Sequence, residues 1–180
     1  MAKRWTIDQI NAMDRDAFVA ALGFLFEGTP WIAAETWAAR PFNSVETLHR
    51  ALCATMHAAD EGRQLALVRA HPVLVGQAAL AGTLSRESTG EQAAAGLDSG
   101  RLSAADVREF MANNAAYRER FGFPFIICAR EHTKRSILDG FASRLDNSRE
   151  GELATALGEV ENIAWYRLSD VVARDEGKAR

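Results

Sequence analysis

Two residues constrain this chain more than any others: Gly122 and Pro124, set within Phe121-Gly122-Phe123-Pro124-Phe125-Ile126-Ile127-Cys128-Ala129-Arg130. The run is aromatic and apolar and follows directly on a segment of helical period. Glycine lets the backbone take positive φ or approach another group closely. Proline removes a donor and forbids helix continuation. The backbone around 121–130 is therefore expected to be irregular or extended, anchored by Phe121, Phe123 and Phe125. Its N–H and C=O groups must be paired by something, and a planar ligand rich in amides suits them.

Elsewhere, apolar residues recur at spacings of three and four. Asp14 is placed to cap a helix carrying Phe18, Ala21, Leu22 and Leu25. Pro30 sits at the first turn of another through Trp31, Ala34 and Trp37. After the Arg40-Pro41-Phe42 break, Ser44 caps a helix with Val45, Leu48, Leu52 and Met56 on one face. The pattern predicts helix over 63–70, ending at His71-Pro72, because proline disfavours an α conformation at the residue before it. Gly82 to Ser103 is a polar interval with one helical piece over 89–97, and an insertion of this length is expected to be functional or disordered. Ser103 then caps a helix through Val107, Phe110, Met111 and Tyr117. Two more are expected over 133–145 and from about Ser148 through Leu153, Leu157, Val160, Ala164, Leu168 and Val171. No internal repeat or domain boundary interrupts the pattern. The expectation is an all-α, single-domain helical bundle over 1–180 with one irregular or extended segment around 121–130.

Bulk properties narrow the function. The hydrophobic fraction of 48% and charged fraction of 25% are those of a soluble globular protein. A net charge of −3 argues against nucleic acid, which calls for a basic surface. No apolar run reaches membrane-spanning length, and the N-terminus has no apolar signal core. The C-terminus carries no Ser-Lys-Leu address. Cys53 and Cys128, far apart in apolar surroundings, read as reduced core residues. A cytoplasmic location is expected.

The four histidines, His49, His57, His71 and His132, lack Cys, Asp, Glu or His partners at metal-ligand spacing, so no metal site is expected. His49 and His57 read as helix-surface residues. His71 differs, because Pro72 fixes its backbone at a helix end and Val73-Leu74-Val75 then buries the chain. Glu91 reads either as a first-turn carboxylate complementing the helix dipole or as a site residue. Its neighbour Gln92 offers a bidentate amide, and Ser88 and Thr89 either cap this helix or face a ligand. Arg167, at the edge of the last apolar stripe, reads as a snorkelling side chain or as a fork for a substrate carboxylate. Cys128 has no flanking base to lower its pKa and reads as core.

In order along the chain stand His71-Pro72-x-Leu74-x-Gly76, Ser88-x-x-Glu91-Gln92-x-x-x-Gly96-Leu97, Asn114-x-x-Tyr117-x-x-x-Phe121-Gly122-Phe123-Pro124-Phe125 and Ile163-x-x-x-Arg167-Leu168. This arrangement resembles the 2-oxo-4-hydroxy-4-carboxy-5-ureidoimidazoline (OHCU) decarboxylases of uric acid degradation, over most of the chain. One position departs: Val73 follows the His-Pro pair where that family carries an acidic residue. The resemblance implies an all-helical homodimer that converts OHCU to (S)-allantoin without metal or organic cofactor. It implies catalysis by His71 and Glu91, with substrate contacts from Pro72, from Ser88, Thr89, Gly90, Glu91 and Gln92, from the backbone of Phe125, Ile126, Ile127, Cys128 and Ala129, and from Arg167.

Two other readings stand beside it. A hydrolase of a related ureide intermediate would need a positioned water and a second base near His71. A non-catalytic helical ligand- or partner-binding module would leave His71 and Glu91 structural and would not bind allantoin. The histidine spacings, together with an imine in the substrate that serves as its own electron sink, generate a first prediction. Decarboxylase activity should survive exhaustive chelation, whereas an inactive metal-free preparation restored by zinc or manganese would contradict it.

Overall fold

The computed structural model describes residues 4–98 and 100–173, so the readings of the two chain ends that involve residues 1–3 and 174–180 lie outside the described residues. The described elements are helical, and the only extended pairing among them is an isolated parallel bridge between Trp5 and Val172. The all-α class is as the periodicity predicts. The chain groups into two compact units, one of Met1–Leu67 with Glu161–Arg180 and one of Val68–Val160.

In the first unit, α1 (Ile7–Asn11) is a short helix that the apolar pattern did not reveal, set by a capping box between Thr6 and Gln9. α2 (Arg15–Leu22) is capped by Asp14, which accepts from the Ala17 N–H at 2.8 Å, and a 3-10 turn then carries Leu25. α3 (Trp31–Thr36) starts after Pro30, and α4 (Val45–Ala58) is capped by Ser44. The predicted face of α4, namely Val45, Leu48, Leu52 and Met56, is buried, as are Phe18, Leu22 and Leu25. Asn11 holds the turn at Phe42 through two 2.8 Å bonds, one to its carbonyl and one from its N–H. α5 (Glu61–Ala70) begins two residues before the predicted start, because Asp60 accepts from the Arg63 N–H at 3.0 Å.

In the second unit α6 (Gln77–Leu80) precedes the polar interval, and the helical piece expected within it is α7 (Arg86–Ala94), which starts and ends three residues earlier than predicted. α8 (Ala104–Phe121) follows Ser103 and stops at Gly122, whose φ of 78° is the left-handed turn that glycine supplies. Phe110 and Tyr117 of α8 are fully buried, but Met111, expected on the same stripe, is 47% exposed. α9 (Lys134–Arg144) is capped by Thr133, and α10 is Arg149–Val171. Phe125 stacks on Phe141 at 3.9 Å between ring centroids, with Tyr117 edge-on to Phe125 at 5.2 Å. The three rings together form an aromatic centre beneath the Gly-Pro segment.

The start of α8 carries a titratable cap. Lys134 Nζ donates to Asp106 Oδ1 at 2.8 Å, and the Ser103 N–H and hydroxyl both donate to Asp106 Oδ2 at 2.8 Å. The Lys134 bond first, then those from Ser103, hold the Asp106 carboxyl at about 2, below its ordinary 3.8. A depressed carboxyl stabilises the fold above its unfolded pKa, and that contribution disappears as pH falls through the folded value. Asp106→Asn should therefore lower the unfolding midpoint at neutral pH, and the gap from wild type should close between 3.8 and about 2. Denaturation curves across acid pH check this; a gap that stays constant into strong acid would contradict it.

Candidate active site

α5 ends at Ala70, and His71 closes its last turn by donating its N–H to Val68 at 3.3 Å before Pro72 halts the helix. His71 is buried at 7% exposure, and its Nε2 makes no hydrogen bond although the residue has other partners. The loop beyond it is tightly specified. Val75 has φ of 52°, a conformation that costs a β-branched residue about 1–3 kcal/mol. The Gly76 N–H donates to the Val73 carbonyl at 3.1 Å. A Cβ at Gly76 would lie 2.9 Å from that of Val73, so glycine is required there. Two amides pin the loop: the Val75 N–H donates to Gln92 Oε1 at 3.1 Å, and Asn114 Nδ2 donates to the Leu74 carbonyl at 2.8 Å.

α7 sorts the expected substrate contacts into two sets. Its cap is Ser85, which accepts from the Ser88 N–H at 3.2 Å, so Ser88 and Thr89 lie inside the helix and cap nothing. The first-turn acid is Glu87, while Glu91 is past that turn and outside the reach of a dipole role. Helical period turns Ser88, Glu91 and Gln92 inward, at 3%, 8% and 5% exposure. Thr89 and Gly90 are exposed; Thr89 returns its hydroxyl to the Ser85 carbonyl at 2.8 Å, and nothing lies within 4 Å of a Cβ built on Gly90.

The Gly122–Cys128 segment is not helical, and it leads into a 3-10 turn at Ala129–Glu131, which packs against α7. Phe125, Ile126, Ile127, Cys128 and Ala129 are all buried. Burial is the largest cause pushing the Cys128 thiol up to about 12, with the carboxylates of Glu131, Glu159 and Glu91 adding to it. Cys128 is thus a neutral core thiol, and the Glu91 charge is close enough to this segment to be felt. His71, Pro72, the inward face of α7 and residues 125–129 all belong to the second unit. Arg167 belongs to the first, where it is 2% exposed with Nη1 donating to Glu27 Oε2 at 3.0 Å and to the Phe24 carbonyl at 3.2 Å. A buried, ion-paired guanidinium is not a snorkelling one. His57 pairs with Glu161, His49 Nε2 lies 3.0 Å from the Glu161 carbonyl, and His132 Nδ1 lies 3.3 Å from Ser136 Oγ.

Sequence reasoning missed two residues at the segment: Arg144, whose Nη1 donates to the Ile126 carbonyl, and Glu159, whose Oε2 accepts from the Cys128 N–H, both at 2.8 Å. Glu159 carried a signal, as an acid set among Ala156, Leu157, Val160 and Ile163. Arg144 carried none, since its partner there is a backbone carbonyl. The bond from Val75 to Gln92 generates a prediction about the unliganded protein. Gln92→Met removes the acceptor and strands a buried N–H, a loss of about 1–3 kcal/mol. Urea unfolding without ligand measures it, and unchanged stability would confine Gln92 to ligand contact.

A family model described as OHCU decarboxylase matches residues 11–169. The chain is 38% identical to 2-oxo-4-hydroxy-4-carboxy-5-ureidoimidazoline decarboxylase of Halalkalicoccus jeotgali, covering 97% of this chain and 96% of that one. It is 40% identical to the enzyme of the same name from Mus musculus, covering 96% of each. Among solved structures it resembles (S)-allantoin synthase, with a TM-score of 0.72 and 26% identity over 94% of this chain, which spans only 54% of that longer one. The chain belongs to the OHCU decarboxylase family.

Proposed function

We propose that this protein decarboxylates OHCU to (S)-allantoin in urate degradation. One observation carries the reading. In a chain similar to such enzymes over nearly its whole length, His71, Ser88, Glu91 and Gln92 are buried polar residues of one unit, and α7, which carries the last three, packs against the 3-10 turn that follows the non-helical segment. Polar side chains gathered inside an otherwise apolar unit are the few convergent polar groups that orient a small polar ligand. The family match spans most of both units, which supports treating 1–180 as one functional domain.

The chemistry follows from the substrate. When CO2 leaves C4, its bonding pair forms a C4=C5 double bond and the C5=N π pair moves onto the ring nitrogen, which takes up a proton. C4 becomes a carbonyl as its hydroxyl loses a proton, and a proton is added to C5 on one face. The protein orients the ring, stabilises the enediol-like intermediate and delivers that proton. His71 is the proton carrier, because an imidazole titrates near working pH. Glu91 supplies a buried carboxylate, Gln92 and the backbone of 125–129 read polar edges of the substrate, and Pro72 with Ser88 completes the contacts. Thr89 and Gly90 contribute through the placement of α7. Arg167 retains, from the resemblance, a charge-assisted contact to substrate.

A cytoplasmic homodimer belongs to the same reading. Both cysteines are buried free thiols, in keeping with a reducing compartment, and no described helix is long and apolar enough to cross a membrane. Light scattering of the purified protein tests the dimer.

The decisive experiment follows the chirality of allantoin formed from freshly generated OHCU with and without the protein. His71→Ala should keep a native circular dichroism spectrum and lose about 10²–10⁴-fold in rate. Near-full stereoselective activity in that variant would remove His71 from the chemistry. Glu91→Gln should act mainly on kcat and shift the pH–rate profile if it is coupled to His71. Arg167→Lys, which keeps charge but loses the planar fork, should act mainly on KM. The opposite division of effects would reverse the two roles.

A further inference from the structure

The segment that is to read the substrate's amide edge is held by two side chains to which no role has been given. Arg144 Nη1 donates to the Ile126 carbonyl and Glu159 Oε2 accepts from the Cys128 N–H, each at 2.8 Å. Between these two residues lies Ile127, buried at 7% exposure. No described residue bonds to the N–H or the C=O of Ile127. In extended backbone the N–H and C=O of one residue point to the same side, and those of its neighbours point away. Holding Ile126 and Cys128 from one side therefore turns the donor–acceptor pair of Ile127 to the other. A buried backbone pair of this kind needs a partner, and an N–H beside a C=O matches one edge of a ureido group.

We propose that Glu159 and Arg144 are positioning residues, which hold Ile126 and Cys128 so that the Ile127 N–H and C=O are presented to the ureido group of the substrate. The proposal rests on the decarboxylase reading and adds to it which amide reads the substrate and what aims that amide. Arg144 is itself fixed: its guanidinium lies 4.4 Å from the Phe125 ring centroid, and its Nε donates to Glu152 Oε1 at 2.8 Å. Glu159 extends from α10 and meets the segment with a single carboxylate oxygen, so its contribution is separable from the core. It touches no reacting atom in this scheme. Its effect on the reaction passes through the backbone that it aims.

The test uses the full chain with two substitutions at Glu159. Glu159→Gln keeps an oxygen acceptor for the Cys128 N–H and should retain KM and kcat near those of wild type. Glu159→Leu removes the acceptor and should raise KM about ten-fold or more through lost preorganisation. Its kcat should change little, its pH–rate profile should be unmoved, and its affinity for allantoin by calorimetry should fall in parallel. A merely structural Glu159 would lower the Tm of Glu159→Leu and leave KM and allantoin affinity unchanged, which overturns the proposal. Loss of kcat with a displaced pH profile in Glu159→Gln would make Glu159 an acid–base group instead, which also overturns it. Wild-type protein that neither turns over OHCU nor binds allantoin would overturn the functional reading itself. An active wild type with a neutral Glu159→Leu overturns the positioning role alone.

Discussion

The carboxylate of Glu152 has no exposure to solvent, and the second unit is built around satisfying it. Tyr117 donates its hydroxyl to Glu152, Arg144 donates from both Nε and Nη2, and Asn147 Nδ2 donates to the second oxygen at 2.6 Å. These donors come from α8, from the end of α9 and from the turn before α10. Removing one partner from a buried ion pair costs about 3–5 kcal/mol, because the charge left behind has no water to take its place. The three helices are thereby tied to one register. Burial and the Glu152 bond hold the Tyr117 phenol protonated, so it remains a donor across the physiological range.

The group that satisfies the carboxylate also holds the non-helical segment. Arg144 has donors left after Glu152 is satisfied, and one of them reaches the Ile126 carbonyl at 2.8 Å. A planar guanidinium with five donors can serve a carboxylate, a carbonyl and an aromatic face together, which an ammonium cannot. The Phe-Gly-Phe-Pro-Phe rings then seal the segment from below through Phe125 on Phe141. On the other flank, the His71–Gly76 loop is strained at Val75 and is stapled to α7 by Gln92 and to α8 by Asn114. A loop in an unfavourable conformation persists where its surroundings over-determine it, and here two side-chain amides do so.

Local chemistry was legible along the chain. Asp14, Ser44 and Ser103 cap where side-chain oxygen precedes an apolar period, because capping is decided within four residues. Gly122 takes positive φ and Pro124 keeps the segment out of a helix for reasons internal to those residues. The motifs were legible in the sequence, and four of their polar residues, His71, Ser88, Glu91 and Gln92, are buried. The start of α7 was not. Polar residues from Ser85 to Thr89 offer several competing caps, and Ser85 prevails with two bonds, from the Ser88 N–H and from the Thr89 hydroxyl. That shift of register sends Thr89 and Gly90 outward and Glu91 inward, which spacing by itself could not settle.

Met111 shows the same limit from the apolar side. It falls on the stripe of α8 that carries Phe110, yet it lies exposed beside a groove of about 350 Å³ lined also by Val73, Val75 and Leu80. Periodicity specifies a face but not how much of it a neighbour covers. The sequence by itself therefore determined most of the helices, several of their caps and the one stretch that cannot be helical, since these depend on φ preferences and donors within a turn or two. The tertiary structure alone decided which carbonyl Arg144 would take, that Glu159 would hold the Cys128 N–H, and that Gln92 would brace Val75. Those bonds join residues 17 to 31 positions apart, and a partner at that distance is chosen by packing.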